Sequence, residues 1–147
     1  MKKILSVILV LTLVLTAALT LSSCSKNDPE GNATLVIGTE KEQVYDIPLS
    51  KLGEGTGLMP ALEYLKEKEG LEFTAENGMI YDIGGLKYNL ETKTYVRIYT
   101  SLEKDFDVSI YKGEIEYDGK TLVSSAVGYS DMTLQDGVII YLKPETW

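Results

Sequence analysis

Residues 56–70 contain the sequence TGLMPALEYLKEKEG, which predicts one amphipathic helix. Thr56 suits the N-cap, Pro60 falls in the first turn, where a missing N–H costs least, and Gly70 supplies the C-terminal stop. Four apolar residues recur at the helical spacing i, i+3, i+4 and i+7: Leu58, Ala61, Leu62 and Leu65. A single apolar stripe of this kind needs a sheet to cover it, so the stretch predicts a helix packed on strands.

Strand signals lie on both sides of this helix. Before it, residues 33–39 and 44–49 predict an opening hairpin. After it, the segments with strand character are 71–75, 79–83, 94–100, 114–117, 120–122 and 138–142. The last of these is almost continuously apolar, which predicts a central strand. Two strands, one helix and then several strands predict an α+β fold, with a β-grasp-like mixed sheet wrapped over a single amphipathic helix.

Four short segments carry a family resemblance: residues 57–62 (Gly-Leu-Met-Pro-Ala-Leu), 95–101, 117–120 (Tyr-Asp-Gly-Lys) and 134–138 (Leu-Gln-Asp-Gly-Val). They resemble a bacterial domain of unknown function related to the carboxy-terminal domain of transcobalamin. The resemblance covers most of residues 33–147. It implies a β-grasp lipoprotein of the bacterial surface, with cobalamin binding as a remote family association. The helical domain that completes the vitamin site in transcobalamin has no counterpart here, and the resemblance assigns no ligand residue to a position in this chain.

The amino-terminal 24 residues predict export and lipid attachment. Lys2 and Lys3 precede the uncharged stretch 4–21, which is typical of an export signal. The segment Leu21-Ser22-Ser23-Cys24 resembles the lipobox of bacterial lipoproteins, which implies cleavage before Cys24 and acylation of that residue. An uncleaved membrane anchor is the alternative, because a stretch of this length approaches that of a spanning helix.

The lipobox interpretation divides the chain into three parts. They are a signal peptide at 1–23, the lipidated cysteine with a flexible tether at 24–32, and the β-grasp domain at 33–147. The export signal predicts that the domain lies outside the cytoplasm. A flexible coil of the tether's length reaches about 15 Å, so the domain is expected close to the bacterial membrane. Cleavage leaves 12 basic residues against 22 acidic ones, a net charge of −10. This charge disfavours nucleic acid as a partner and keeps the domain away from anionic lipid headgroups.

Composition also restricts the chemistry. Histidine is absent, and the single cysteine is assigned to lipid. These facts exclude a His-based triad, a thiolate nucleophile in the mature chain and a zinc site built on Cys or His, so we expect no enzyme activity, no catalytic residue, no cofactor and no metal site. The acidic pairs Glu114 with Glu116 and, if extended, Asp105 with Asp107 are typical of solvated strand faces; weak calcium binding is the alternative.

Tyrosine supplies the candidate binding residues. The chain has ten tyrosines against two phenylalanines and one tryptophan, and Arg97 is its only arginine. Tyr95, Arg97 and Tyr99 share one strand face, where a planar cation between two rings can bind a carboxylate, a peptide or a flat ring. A structural cross-strand ladder with a cation–π contact is the alternative. Tyr129, in the loop 128–131, is a second candidate ligand-binding residue.

These observations predict a membrane-anchored lipoprotein whose domain binds an unknown surface protein or a small ligand. The alternative is a structural or adhesive surface module that pairs through a sheet edge and has no small-molecule pocket.

Overall fold

The computed structural model describes residues 29–53 and 55–147. The predicted signal peptide, Cys24 and most of the predicted tether lie outside the described residues. Within the described part of the chain, no helix has the length and apolar composition needed to cross a membrane.

The described residues form one α-helix and nine strands. The helix α1 covers Leu58–Glu69. The strands are β1 (Asn32–Ile37), β2 (Gln43–Pro48), β3 (Phe73–Glu76), β4 (Met79–Ile83), β5 (Leu86–Lys87), β6 (Thr94–Thr100), β7 (Glu114–Tyr117), β8 (Lys120–Ser124) and β9 (Ile139–Thr146). Two 3-10 turns cover Leu49–Lys51 and Glu103–Asp105.

Six strands form one mixed sheet in the order β2-β1-β9-β6-β8-β7. The β1 and β9 strands are parallel, and the other neighbours are antiparallel. The predicted α+β class is therefore confirmed, and the apolar β9 lies inside the sheet as predicted. The β3, β4 and β5 strands form a separate antiparallel sheet, which the prediction of one continuous sheet did not include.

The helix forms where the sequence predicts it, but its cap differs. The N-cap is Gly57, which has an extended backbone and makes no side-chain capping bond, so the prediction of Thr56 is wrong. The backbone carbonyl of Thr56 instead accepts a hydrogen bond from Leu134 N. Gly70 ends the helix in the left-handed conformation with φ of 71°, as predicted. The four stripe residues, Leu58, Ala61, Leu62 and Leu65, are all buried.

The six-stranded sheet has two different faces. The inner face carries α1, and the large apolar core lies between them, with Leu35, Ile37 and Leu142 among its buried members. The outer face has a smaller buried cluster: Val36, Tyr99, Leu122 and Ile139. Because successive strand residues alternate in direction, β6 sends Val96 to the inner core and its neighbours Tyr95 and Arg97 to the outer face.

Candidate functional site

The outer face brings the predicted stripe residues together with the end of β9. In the antiparallel pairing of β6 with β9, Tyr95 lies opposite Glu145 and Tyr99 lies opposite Tyr141. Tyr95, Arg97 and Tyr99 therefore share one face, as the alternation of the sequence predicts. Their new neighbour is Glu145, which is 50 residues from Tyr95 along the chain.

Arg97 directs its guanidinium donors at partners within the same domain. Nη1 donates to Glu145 Oε2 at 2.8 Å. Nη2 donates to the backbone oxygen of Tyr111 at 2.9 Å and to Ser124 Oγ at 3.0 Å. A second carboxylate, Asp107, places Oδ2 at 3.8 Å from Nη2. The planar guanidinium of Arg97, on β6, therefore connects β8, β9 and the loop that precedes β7 through hydrogen bonds.

Glu145 is the acceptor at the centre of this network. Tyr99 Oη donates to Oε1, and Tyr95 Oη donates to Oε2 at 3.4 Å. Burial raises the pKa of Glu145, but the hydrogen bonds from Tyr99 and Arg97 outweigh burial and hold it below its ordinary value. Burial, together with the hydrogen bond to Glu145, raises the pKa of Tyr99 well above its usual value. The network therefore favours an ionised Glu145 and a neutral Tyr99.

Residues 107–113 form a loop that closes over Tyr99, and we call it the apolar loop. Asp107 Oδ1 accepts from Ser109 N at 2.8 Å, and Tyr111 N donates to Ser109 Oγ at 3.2 Å. Gly113 N donates to Ser124 Oγ at 2.9 Å. A Cβ atom at Gly113 would lie 2.5 Å from Tyr99 Oη, so the close approach of loop and ring requires glycine. Together with Arg97, these bonds fix the base of the loop.

The tip of the apolar loop exposes three large apolar side chains. Val108 is 93% exposed, Ile110 is 90% exposed and Tyr111 is 79% exposed. Sequence reasoning missed them, because apolar and polar residues alternate here just as they do in a half-buried strand. An apolar group of this size on a loop with a fixed base is a candidate contact surface.

Tyr129 lies apart from the other predicted site residues. It is 8% exposed and belongs to the core of the inner face. The structure therefore does not join Tyr129 to the stripe of Tyr95, Arg97 and Tyr99.

The two acidic pairs lie in different surroundings. Glu114 and Glu116 are both exposed, as predicted for a solvated strand. Asp105 and Asp107 do not lie on one extended segment, because Asp105 ends a 3-10 turn and is buried, whereas Asp107 faces Arg97. Across residues 29–53 and 55–147, no group of three or more Asp, Glu, Cys or His side chains is arranged to hold a metal ion.

A cleft of about 650 Å³ lies at the carboxyl end of α1, between β2 and the small sheet. Gln43 and Gly84 both line this cleft, and Gln43 Nε2 donates to the backbone oxygen of Gly84 at 2.7 Å. Lys66 Nζ lies 5.6 Å from the ring centroid of Phe73, also in the wall. None of the predicted site residues lines this cleft.

Comparison with known proteins finds similarity at the level of structure. No protein-family model matches the chain, and no curated protein matches it. A solved structure with a similar fold is described as that of "a putative metal binding protein from Ruminococcus gnavus ATCC 29149". The TM-score is 0.51 at 11% sequence identity, and the match covers 80% of this chain and 99% of that chain. At this identity the likeness shows the fold alone.

Proposed function

We propose that this chain is an extracytoplasmic lipoprotein, anchored to the bacterial membrane, whose β-grasp domain binds a protein partner through the apolar loop. Three features support the β-grasp assignment: an opening hairpin, α1 directly after it, and the parallel pairing of β1 with the last strand, β9. The lipobox-like segment at 21–24 and the polar tether that follows it support the anchor.

The exposed tip of the apolar loop is the observation that carries the binding proposal. Full burial of one large apolar side chain stabilises a complex by about 1.5–3 kcal/mol. Val108, Ile110 and Tyr111 together therefore provide a contact of the strength found at the centres of protein interfaces. The base of the loop is already fixed by Arg97 and Ser124, so binding loses little conformational entropy in ordering the loop.

Charge favours a protein over a lipid surface as the occupant. The net charge of −10 that the predicted cleavage leaves repels anionic headgroups. The loop leads directly into β7, where the exposed Glu114 pairs with Lys112 of the loop at 2.7 Å and the exposed Glu116 accepts a hydrogen bond from Thr121. The partner surface that fits is therefore an apolar pocket with a polar rim that carries both signs of charge.

The edge of β7 offers the same partner a second contact. Ser124 N donates to the backbone oxygen of Gly113. Because backbone hydrogen bonds alternate in direction along an antiparallel strand, the N–H and C=O groups of Ile115 and Tyr117 also point towards β8. The backbone groups of Glu114 and Glu116 then face the free edge, where an extended segment of the partner can add a strand. This strand has only four residues, so edge pairing contributes to the interface and the apolar tip supplies most of the contact.

In this proposal Tyr95, Arg97 and Tyr99 position the apolar loop, and the partner contacts the tip. The test is recovery of partners from native membranes, identified by mass spectrometry, with the full-length protein, a Val108→Ser/Ile110→Ser variant and a Val44→Ser control. Val44 is an exposed apolar residue on β2, at the opposite edge of the sheet. We expect the loop variant to lose a partner that the wild type and the control both retain. Equal recovery by all three proteins would reject the loop as the binding surface.

The anchor is tested separately at Cys24. We expect metabolic labelling with a fatty acid to tag the wild type and a Ser25→Ala control, and to leave Cys24→Ala unlabelled and released or misprocessed. Labelling of Cys24→Ala at the wild-type level would contradict the lipoprotein assignment without affecting the proposal for the loop.

A further inference from the structure

Four aromatic side chains form a continuous row where the start of β6 meets the end of β9, and we call it the aromatic row. Tyr81 and Tyr88 meet edge to face, with ring centroids 5.5 Å apart. Tyr88 stacks on Trp147 at 5.8 Å with an interplanar angle of 18°. Trp147 also contacts Tyr95 at 5.9 Å and 55°. The row therefore joins the small sheet, β6 and Trp147, which follows β9.

The row is a surface and not part of a core. Trp147 is 56% exposed, and the three tyrosines are each partly exposed. Tyr88 stacks against Trp147 at a small interplanar angle, which holds the indole in a fixed orientation. Packing alone does not account for a tryptophan that leaves more than half of its surface in water, because full burial of so large a ring is strongly favourable.

Polar residues lie next to the aromatic row. Trp147 N donates to the backbone oxygen of Lys93 at 3.1 Å, and Thr94 pairs with both Asn89 and Thr146. A shallow crevice of about 520 Å³ is lined by Thr94, Lys143, Pro144, Glu145 and Thr146. A second crevice, of about 460 Å³, shares Thr94 and Pro144 with the first and adds Asn89 and Thr92. No ring of the row is among these lining residues, so the crevices lie beside the row and place hydroxyl, amide and ammonium groups at its edge.

This combination matches the chemistry of a sugar ring. A pyranose presents C–H groups on its faces, which pack on an aromatic plane, and hydroxyls around its edge, which need donors and acceptors. The net charge of −8 repels acidic polysaccharides. From these observations we infer that the aromatic row binds a neutral oligosaccharide, with one sugar ring on Trp147. The inference goes beyond the proposed function, because it concerns a different surface and needs neither the lipid anchor nor the apolar loop.

Trp147 makes the test direct, because it is the only tryptophan of the chain. The full-length protein is titrated, in a detergent without a sugar headgroup, with two neutral probes: the β-1,4-linked tetramers of N-acetylglucosamine and of glucose. We expect at least one probe to change the tryptophan emission and to saturate with a Kd of about 1 mM or below. Saturation by neither probe at about ten times that concentration would overturn the inference.

Variants locate the binding. Calorimetry should show binding weakened at least about tenfold, or 1.4 kcal/mol, in Tyr88→Ala and lost in Trp147→Ala, with Val44→Ala unchanged. Val44 is an exposed apolar residue on the edge strand β2, outside the row and outside the apolar loop, which makes it the control. Thermal melts identify a variant that fails to fold, and the exposed position of Trp147 makes its variant decisive if Tyr88→Ala unfolds. Wild-type affinity in Trp147→Ala would overturn the inference, as would saturation of the emission by a proline-rich peptide but by neither sugar.

Discussion

The two faces of the six-stranded sheet are closed in different ways. The inner face is covered by α1 and by apolar contacts, in which Leu62 and Leu65 are almost fully buried. The outer face is covered by a loop that Arg97 holds through a hydrogen bond to the Tyr111 carbonyl, while Glu145 binds the same guanidinium. Apolar burial stabilises in proportion to the area removed from water, whereas charge-assisted hydrogen bonds depend on donor geometry. The inner face should therefore be sensitive to side-chain volume, and the outer face to side-chain shape at constant charge.

The largest change in the free energy of unfolding is expected from substitutions on the inner face. Leu62→Ala and Leu65→Ala should each lower the free energy of unfolding by about 2–5 kcal/mol, because each leaves a cavity under the sheet. Chemical denaturation measures the loss. Glu63→Ala, on the exposed side of the same helix, is the control and should stay within about 0.5 kcal/mol of the wild type. Leucine variants that match this control would show that α1 does not close the inner face.

A smaller effect is expected from Arg97→Lys on the outer face. Lysine keeps the charge but cannot reach Glu145, the Tyr111 carbonyl and Ser124 Oγ at once. We expect a loss of about 1–3 kcal/mol, reduced towards the lower end because the ion pair is partly exposed to water, which screens it.

The comparison for Arg97 is Lys87→Ala, which removes a well-exposed ion pair with Asp82. Such surface pairs contribute about 0–1 kcal/mol. If Arg97→Lys costs no more than Lys87→Ala, the geometry of the guanidinium does not hold the outer face.

The pH dependence separates the two faces further. Because hydrogen bonds lower the pKa of Glu145, its contribution to stability is present above the ordinary value of 4.5 and is lost as the pH falls through the folded value. The pKa values of Tyr99 and Tyr141 shift in the opposite direction, upwards. Burial raises the pKa of Tyr141 to about 12, with a further contribution from its hydrogen bond to Glu42. Both tyrosines therefore contribute fully below their usual value of 10.0, and this contribution is lost above it.

Urea unfolding at a series of pH values tests this. We expect a plateau between about pH 5 and pH 10 with a decline on either side. Glu145→Gln should flatten the acid decline, and Leu62→Ala should lower the whole curve without changing its shape. An unchanged acid slope in Glu145→Gln would assign the decline to other carboxylates.

The smallest effect on stability is expected at the tip of the apolar loop. Val108→Ser and Ile110→Ser should change the free energy of unfolding by no more than about 0.5 kcal/mol, because both side chains are exposed. The same denaturant series measures it, beside the partner recovery described above. A loss of more than about 1 kcal/mol would mean that the tip packs against the domain and is not available to a partner.

The inner face was predictable because its signals are local. The spacing of Leu58, Leu62 and Leu65 depends only on helix periodicity, and β6 was predicted with the bounds that the structure shows. The cap at Gly57 was missed because the neighbouring Thr56 has the better capping side chain. The backbone carbonyl of Thr56 accepts a hydrogen bond from Leu134 N, and the helix begins one residue later.

The outer face was only half predictable. Alternation placed Tyr95, Arg97 and Tyr99 together, but their partners Glu145 and Ser124 come from other strands, and no local pattern gives the register between strands. The polar loop 128–131 predicts an accessible Tyr129, whereas the residue is buried as part of the inner core.

The close contact of Gly113 with Tyr99 has a consequence for hydrogen exchange. The amides of Ser109, Tyr111 and Gly113 donate to Asp107, Ser109 and Ser124, in that order. Freeing the Gly113 amide requires the loop to lift from the Tyr99 ring, which also withdraws the Tyr111 carbonyl from Arg97. The Gly113 amide should therefore exchange with solvent only when the loop lifts from the sheet, whereas the exposed amides of Ser109 and Tyr111, whose acceptors lie within the loop, should exchange through local opening of the tip.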